Sequence, residues 1–159
     1  MAIFMKFGDD VTGDVETQGY EKWIELTSFQ WGVGRGIGSA MSGGNAREGT
    51  VPSISEITVS KRMDGASPGL WTDAVAGELN TLVTIAFTVT SKNETTQYLS
   101  YELTDCGLSG YSVTSGGDMP QESLSLNFSK ISWSLTVRGE DGSGSPVTQG
   151  YDLTKSITT

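Results

Sequence analysis

Val83, Ile85, Phe87 and Val89 alternate with Thr84, Ala86, Thr88 and Thr90, and this two-residue period narrows the folds open to the chain more than any other feature. Successive side chains on a strand point to opposite faces, so such a run forms a strand with one apolar side. The pattern returns at Ile57 and Val59, at Leu99, Tyr101 and Leu103, and at Tyr111 and Val113. Leu124, Leu126 and Phe128 hold even positions, whereas Ile131, Trp133, Leu135 and Val137 hold odd ones. The slip at Ser129–Lys130 fits a residue bulged from one long strand or a tight turn between two; with no Gly, Pro or Asp there, the bulge is preferred. Lys92-Asn93-Glu94-Thr95 reads as a hairpin turn, and Asp105-Cys106-Gly107 and Gly116-Gly117-Asp118-Met119-Pro120 as further turns. Several short strands at such spacing predict a mainly β fold, a barrel or a sandwich of two sheets.

One segment carries helical signals. Ser67 suits an N-cap and Pro68 the first helical position. Leu70, Trp71, Ala74 and Val75 then fall on one stripe, Asp73 sits early in a helix dipole that favours negative charge, and Gly77 suits a stop. The expectation is one short helix flanking the strands. In Glu21–Trp31, apolar residues occupy both faces: Trp23, Phe29 and Trp31 on one, Ile24 and Leu26 on the other. A strand covered on both sides is either central in its sheet or packed on a neighbouring chain. The four tryptophans, Trp23, Trp31, Trp71 and Trp133, fill the core and the helix contact or serve a subunit interface.

At 159 residues the chain fits a single domain spanning 1–159. Residues 32–52 hold seven glycines and few large side chains. A loop of that length is usually functional or disordered. Residues 139–150 are Gly/Ser-rich and read as a flexible connector to a short last strand.

The chemistry is bounded by what is missing. The chain has no histidine, one cysteine (Cys106) and a net charge of −9. An acidic chain repels phosphate backbones and anionic lipid, which argues against nucleic-acid and direct membrane binding. A lone cysteine makes no internal disulfide. The N-terminus lacks the charged region, apolar stretch and cleavage site of a secretory leader. Gly65-Ala66-Ser67-Pro68-Gly69 matches the nucleophile-elbow pattern G-x-S-x-G, yet no histidine exists to serve as base. Pro68 also has no N–H for an oxyanion hole. Gly32, Gly34, Gly36 and Gly38 follow the wrong spacing for a dinucleotide loop. Asp9, Asp10, Asp14 and Glu16 lack the order of a calcium loop, so a solvated acidic turn is expected. One Cys and no His make zinc a poor reading, and no S-x-x-K occurs. No catalytic residue, cofactor or metal is expected.

Four segments carry a family resemblance. The run Tyr20-Glu21-Lys22-Trp23-Ile24-Glu25-Leu26-Thr27-Ser28-Phe29-Gln30-Trp31-Gly32 resembles the N-terminal signature of Hcp, the haemolysin-coregulated tube protein family of bacterial type VI secretion. Lys61-Arg62-Met63-Asp64-Gly65-Ala66-Ser67-Pro68-Gly69-Leu70 is similar to the family's strand-to-helix junction. Glu122-Ser123-Leu124-Ser125-Leu126-Asn127-Phe128-Ser129-Lys130-Ile131 resembles its long late strand, and Gly150-Tyr151-Asp152-Leu153 its closing motif. The resemblance implies a tail-tube-like β-barrel with one flanking helix. It implies a homo-hexameric ring, rings stacked into a tube, and lumens that carry or stabilise effectors. Spike, sheath and effector proteins are the implied partners. The implied location is the bacterial cytoplasm, then outside the cell without a signal peptide. No fused toxin domain is expected. The 32–52 segment corresponds to the family's extended loop, which implies contacts between subunits or rings at Trp31, Arg35, Met41, Asn45 and Arg47. That loop is unusually Gly/Ser-rich for the family, and Asp141-Gly142-Ser143-Gly144-Ser145 is an insertion. Two other readings stand beside this one: a monomeric β-sandwich that binds a ligand such as a sugar, and a hydrolase with an acid-only site.

Overall fold

The computed structural model describes residues 1–38, 49–137 and 144–159. Among these, the elements in chain order are β1 (Ala2–Phe7), β2 (Ile24–Leu26), β3 (Ser28–Gln30), β4 (Val33–Gly34), β5 (Ser53–Ile54), β6 (Ile57–Arg62), α1 (Ser67–Ala76), β7 (Thr81–Ser91), β8 (Glu94–Thr114), β9 (Gln121–Asn127), β10 (Lys130–Thr136), β11 (Pro146–Asp152) and β12 (Ile157–Thr158). The expected strands form, and so does β1, which the sequence reading passed over. One antiparallel sheet runs β12-β11-β10-β8-β7-β1-β2; a second runs β3-β6-β9-β8. Both paths end on open edges, so of the barrel and sandwich expected, the two-sheet sandwich is what forms. Between the sheets lie Met5, Ile24, Ile57, Val83, Ile85, Leu103, Leu124 and Leu126, each fully buried.

The phase slips turn out to be corners where the chain leaves one sheet for the other. In Glu21–Trp31, β2 pairs with β1 in the first sheet and β3 pairs with β6 in the second. The switch falls at Thr27, whose N–H donates to the Ser60 carbonyl at 2.7 Å. Ile24 and Leu26 therefore face the core from one side and Phe29 and Trp31 from the other. This segment is not a central strand. Likewise the slip at Ser129–Lys130 is neither a bulge within one strand nor a tight turn. β9 ends in the second sheet at Asn127, and β10 begins in the first at Lys130. At that corner the Ser129 N–H donates to the Thr104 carbonyl at 3.0 Å.

The expected turn at Asp105-Cys106-Gly107 is a third corner, inside a single 21-residue strand. Up to Cys106, β8 pairs with β7; from Gly107 it pairs with β9. Asp105 sits at φ 50° there. This left-handed conformation turns the strand there, and Asp is among the side chains that tolerate it. The Lys92-Asn93 hairpin does form, with Lys92 at φ 51° and Asn93 at φ 65°. Two left-handed residues make the type I′ turn, whose twist matches that of the paired strands.

Helix α1 forms where expected but on a narrower footing. Leu70 is fully buried, Ser67 nearly so, and Ala74 packs against the core. Trp71 and Val75, expected on the buried stripe, are 55% and 65% exposed. The apolar contact of the helix runs along the i, i+3, i+7 line of Ser67, Leu70 and Ala74. Asp73 lies beyond the first turn; its carboxylate instead accepts the Leu108 N–H at 3.0 Å, fastening the helix to the corner in β8. Gly77 ends the helix as expected, donating its N–H to the Asp73 carbonyl at 2.9 Å. Of the expected connector 139–150, Pro146–Gly150 lie in β11, paired along β10.

Candidate assembly surfaces

Three features bear on what the molecule does: a buried polar cluster under the helix, an arm projecting from the sandwich, and two contrasting surfaces.

The cluster begins with two charges on apolar faces. Lys61 follows Ile57 and Val59 on the inner side of β6, and Glu122 precedes Leu124 and Leu126 on the inner side of β9. The register places Lys61 directly opposite Glu122. Both are buried. Isolated buried charges are costly, so each needs partners. The Lys61 ammonium has three N–H donors and three acceptors around it: Glu122 Oε1 at 2.6 Å, Asp64 Oδ1 at 2.8 Å and Ser67 Oγ at 3.2 Å. Ser67 Oγ donates to Glu122 Oε1 at 2.6 Å and accepts the Asp64 N–H at 3.0 Å. The Tyr111 hydroxyl donates to Glu122 Oε2. Burial pushes the Glu122 carboxyl up, but hydrogen bonds from Lys61, Ser67 and Tyr111, with the Lys61 charge, outweigh it and hold the carboxyl below its ordinary value. Burial, the hydrogen bond to Glu122 and its charge push the Tyr111 phenol up to about 12.

Ser67 is therefore not the helix cap expected. Its hydroxyl is committed to the cluster, and α1 has no side-chain cap. The cluster also brings serine and lysine together without the S-x-x-K spacing. That pair cannot run nucleophilic catalysis as it stands. All three ammonium donors are engaged, leaving no lone pair to take the Ser67 proton, and Ser67 is only 5% exposed. The sequence carried a signal for this site: a lysine and a glutamate each in phase with buried aliphatic residues.

The arm is the stem of the glycine-rich segment. Val33 pairs with Ile54 and Gly34 with Ser53, and Ile37 bridges to Gly49. Gly36 and Thr50 exchange backbone and hydroxyl hydrogen bonds between 2.9 and 3.2 Å. Trp31, at the root, packs on the core with its ring 5.7 Å from Tyr101, in a line that continues to Phe29 and Trp133. Arg35 is exposed on the stem and lies over Gly49; a Cβ there would meet the guanidinium carbon at 2.9 Å. The structure thus separates Trp31, a buttress of the arm, from Arg35 on its surface. Met41, Asn45 and Arg47 lie outside the described residues.

The acidic run does not converge. Asp9 pairs with Lys6 at 3.3 Å, and Asp14 accepts the Gly65 N–H at 3.2 Å. Among the described residues, no three acidic, Cys or His side chains gather as a metal site. Cys106 is fully buried; burial and the nearby Asp73 charge push its thiol up to about 12 despite a hydrogen bond to Gly107.

Two surfaces stand out by contrast. On the side of the first sheet facing away from the core, β7, β8, β10 and β11 carry mostly small residues in register, several of them Ser or Thr. Thr84, Glu102, Ser132 and Gly150 form one row; Ala86, Ser100, Ser134 and Thr148 form the next. The outward side of α1, the turn after it and the start of β7 present Trp71, Val75, Leu79 and Leu82, all more than half exposed.

The model of the family described as type VI secretion system effector, Hcp, matches residues 4–135. A solved type six secretion system protein shares the fold at TM-score 0.87 and 24% identity, covering 99% of each chain. Hcp1 from Salmonella typhimurium aligns at TM-score 0.73 and 20% identity over 99% of this chain and 98% of its own. The tube-terminating cap of the anti-feeding prophage aligns at TM-score 0.58 and 11% identity, over 84% of this chain and 87% of its own. No curated protein sequence matches the chain.

Proposed function

The chain belongs to the Hcp family of type VI secretion, and from that premise we propose that it is a structural subunit of the secretion tube, forming hexameric rings that stack and hold effector proteins in the lumen. The observation that carries this reading is the family match over 132 consecutive residues, 4–135, which spans both sheets and the helix. The surfaces agree with it. A lumen through which cargo must move needs a hydrated, weakly adhesive wall, and the Ser/Thr rows on β7, β8, β10 and β11 supply one. Small hydroxyl groups hold water and offer little apolar area for a cargo to stick to. α1 and the arm carry exposed apolar side chains, Trp71, Val75, Ile37 and Val51 among them, which suit contacts between copies. The role is structural: Ser67 and Lys61, the serine–lysine pair of the buried cluster, are held by hydrogen bonds and by the ion pairs of Lys61 with Glu122 and Asp64. Partners on this reading are further copies, effectors, and the spike and sheath of the apparatus. The protein reaches the outside through that apparatus. Size-exclusion chromatography followed by negative-stain microscopy tests the reading. Annular particles of six copies are expected, and a clean monomer at high concentration with no rings would overturn it.

A further inference from the structure

We propose that α1 and the turn leading into it form an acid-released clasp on the sandwich: protonation of Glu122 frees the segment 64–77 while both sheets stay folded. The placement of the carboxylates carries this. Among the described residues, Asp64, Asp73 and Glu122 are the carboxylates whose hydrogen bonds are buried or partly buried, and all three hold this one segment. Glu122 Oε1 accepts the Ser67 hydroxyl at the start of the helix, Asp64 Oδ1 accepts the Ala66 N–H at 3.0 Å in the entry turn, and Asp73 fastens the helix to Leu108. Carboxylates such as Glu56, Glu78, Asp105 and Asp152 make their bonds in contact with water, where such contacts are worth little. The sheets are joined by backbone ladders, which carry no titrating group. The apolar footing of α1 is narrow by comparison, one leucine and one alanine.

Proton uptake has a defined place to act. The chain has no histidine, so carboxylates are the side chains that gain protons between neutral pH and acid. The groups around Glu122 are Lys61 from β6, Asp64 from the entry turn, Ser67 from α1 and Tyr111 from β8. Asp14 and Arg62, which border the turn, are exposed. Lys61, Ser67 and Tyr111 all donate to Glu122, so a protonated carboxyl sets a fourth hydrogen among three donors and gives up the charge that strengthened their bonds. In the closed form those three donors, against the effect of burial, hold the carboxyl below its ordinary value. Opening lifts Ser67 and Asp64 from the pair and admits water, which returns the carboxyl to its ordinary value. Above that value Glu122 gives opening no pH dependence. Opening becomes easier as pH falls from there to the closed-form value, and levels off below it. Cys106 is buried at the corner that Asp73 fastens, so its thiol reports the open form.

Labelling of Cys106 with dithiodipyridine, which reacts with thiols in acid, tests this over a pH series, with far-UV circular dichroism of the same samples reporting the sheets. Rates are normalised to those of the denatured chain at each pH. Across the window in which Glu122 takes up its proton, the native rate should rise by up to about tenfold per pH unit while the β signal holds. Labelling that rises only together with loss of the β signal would overturn the proposal, and so would a rate that stays flat until the sheets unfold. The variant Lys61→Met, Glu122→Gln lacks the titrating pair, and its rise should be lost. A rise as steep as that of the wild type, in a variant whose β signal shows it folded, would overturn the role of Glu122. The wild-type series decides the matter alone where the variant does not fold.

Discussion

Replacing Glu122 by glutamine tests the buried cluster most severely. The change keeps shape but leaves a single amide oxygen, which can accept from Ser67 or from Tyr111 and not from both, since they donate to different carboxylate oxygens, and it removes the charge facing Lys61 at 2.6 Å. Lys61 is fully buried and cannot reach water without moving β6. Removing one partner of such a pair typically costs about 3–5 kcal/mol. Asp64 remains 2.8 Å away and its side chain is 15% exposed, so it screens part of the loss. The lower end, about 3 kcal/mol, is the expected cost. For a chain of this length that lowers Tm by roughly 6–12 °C. Lys61→Met should cost a similar amount, because it leaves Glu122 buried without its cation. The double variant Lys61→Met, Glu122→Gln removes both charges and should cost at least about 2 kcal/mol less than the two singles summed. Urea unfolding followed by tryptophan fluorescence, at one fixed protein concentration because assembly adds to apparent stability, measures all four proteins. The pH dependence gives an independent check. The Glu122 carboxyl titrates below its ordinary value in the folded chain. Its contribution is therefore complete above the unfolded value of about 4.3 and drains away as pH falls through the folded value. That part of the acid slope should vanish in Glu122→Gln. A single-variant cost below about 1 kcal/mol, or strict additivity in the double, would refute the claim that Lys61 and Glu122 act as a coupled buried pair.

The helix gives a contrast between neighbouring residues: Leu70→Ala should cost about 2–5 kcal/mol in unfolding, while Trp71→Ala should leave monomer stability within about 0.5 kcal/mol and impair ring formation instead. Cys106 should resist a thiol reagent at pH 8 in the folded protein and react at once in denaturant, because its thiol is buried and pushed up to about 12; fast labelling of the native chain would contradict its place at the β8 corner. Asn93→Gly should raise stability by about 0.4–1 kcal/mol, since glycine takes the left-handed turn position without the strain a side chain brings; a loss on thermal unfolding would argue against the type I′ turn.

Much of the architecture was legible in local pattern. Alternation at Val83–Val89, Ile57–Val59 and Leu124–Phe128 fixed strands and their apolar sides, since a pleated strand leaves a side chain no other choice. Lys92-Asn93 marked its hairpin. The absent histidine and Pro68 removed the one motif that looked enzymatic. The meaning of the irregularities was not legible. The run apolar on both faces at Glu21–Trp31, the turn residues Asp105-Cys106-Gly107 and the slip at Ser129–Lys130 are all corners, yet nothing on paper says so, because a two-residue period labels two faces without saying what each will meet. Crossing between sheets is decided by pairings with strands far along the chain. The same holds for Lys61 and Glu122, 61 residues apart, which look like misplaced charges until the register of β6 and β9 sets them side by side. It holds too for α1, whose amphipathic stripe named four candidates while the sheet accepted only the line through Leu70 and Ala74, leaving Trp71 and Val75 outside. Sequence determined which side chains must leave water; tertiary structure decided where, because burial depends on neighbours that only long-range pairing brings within reach.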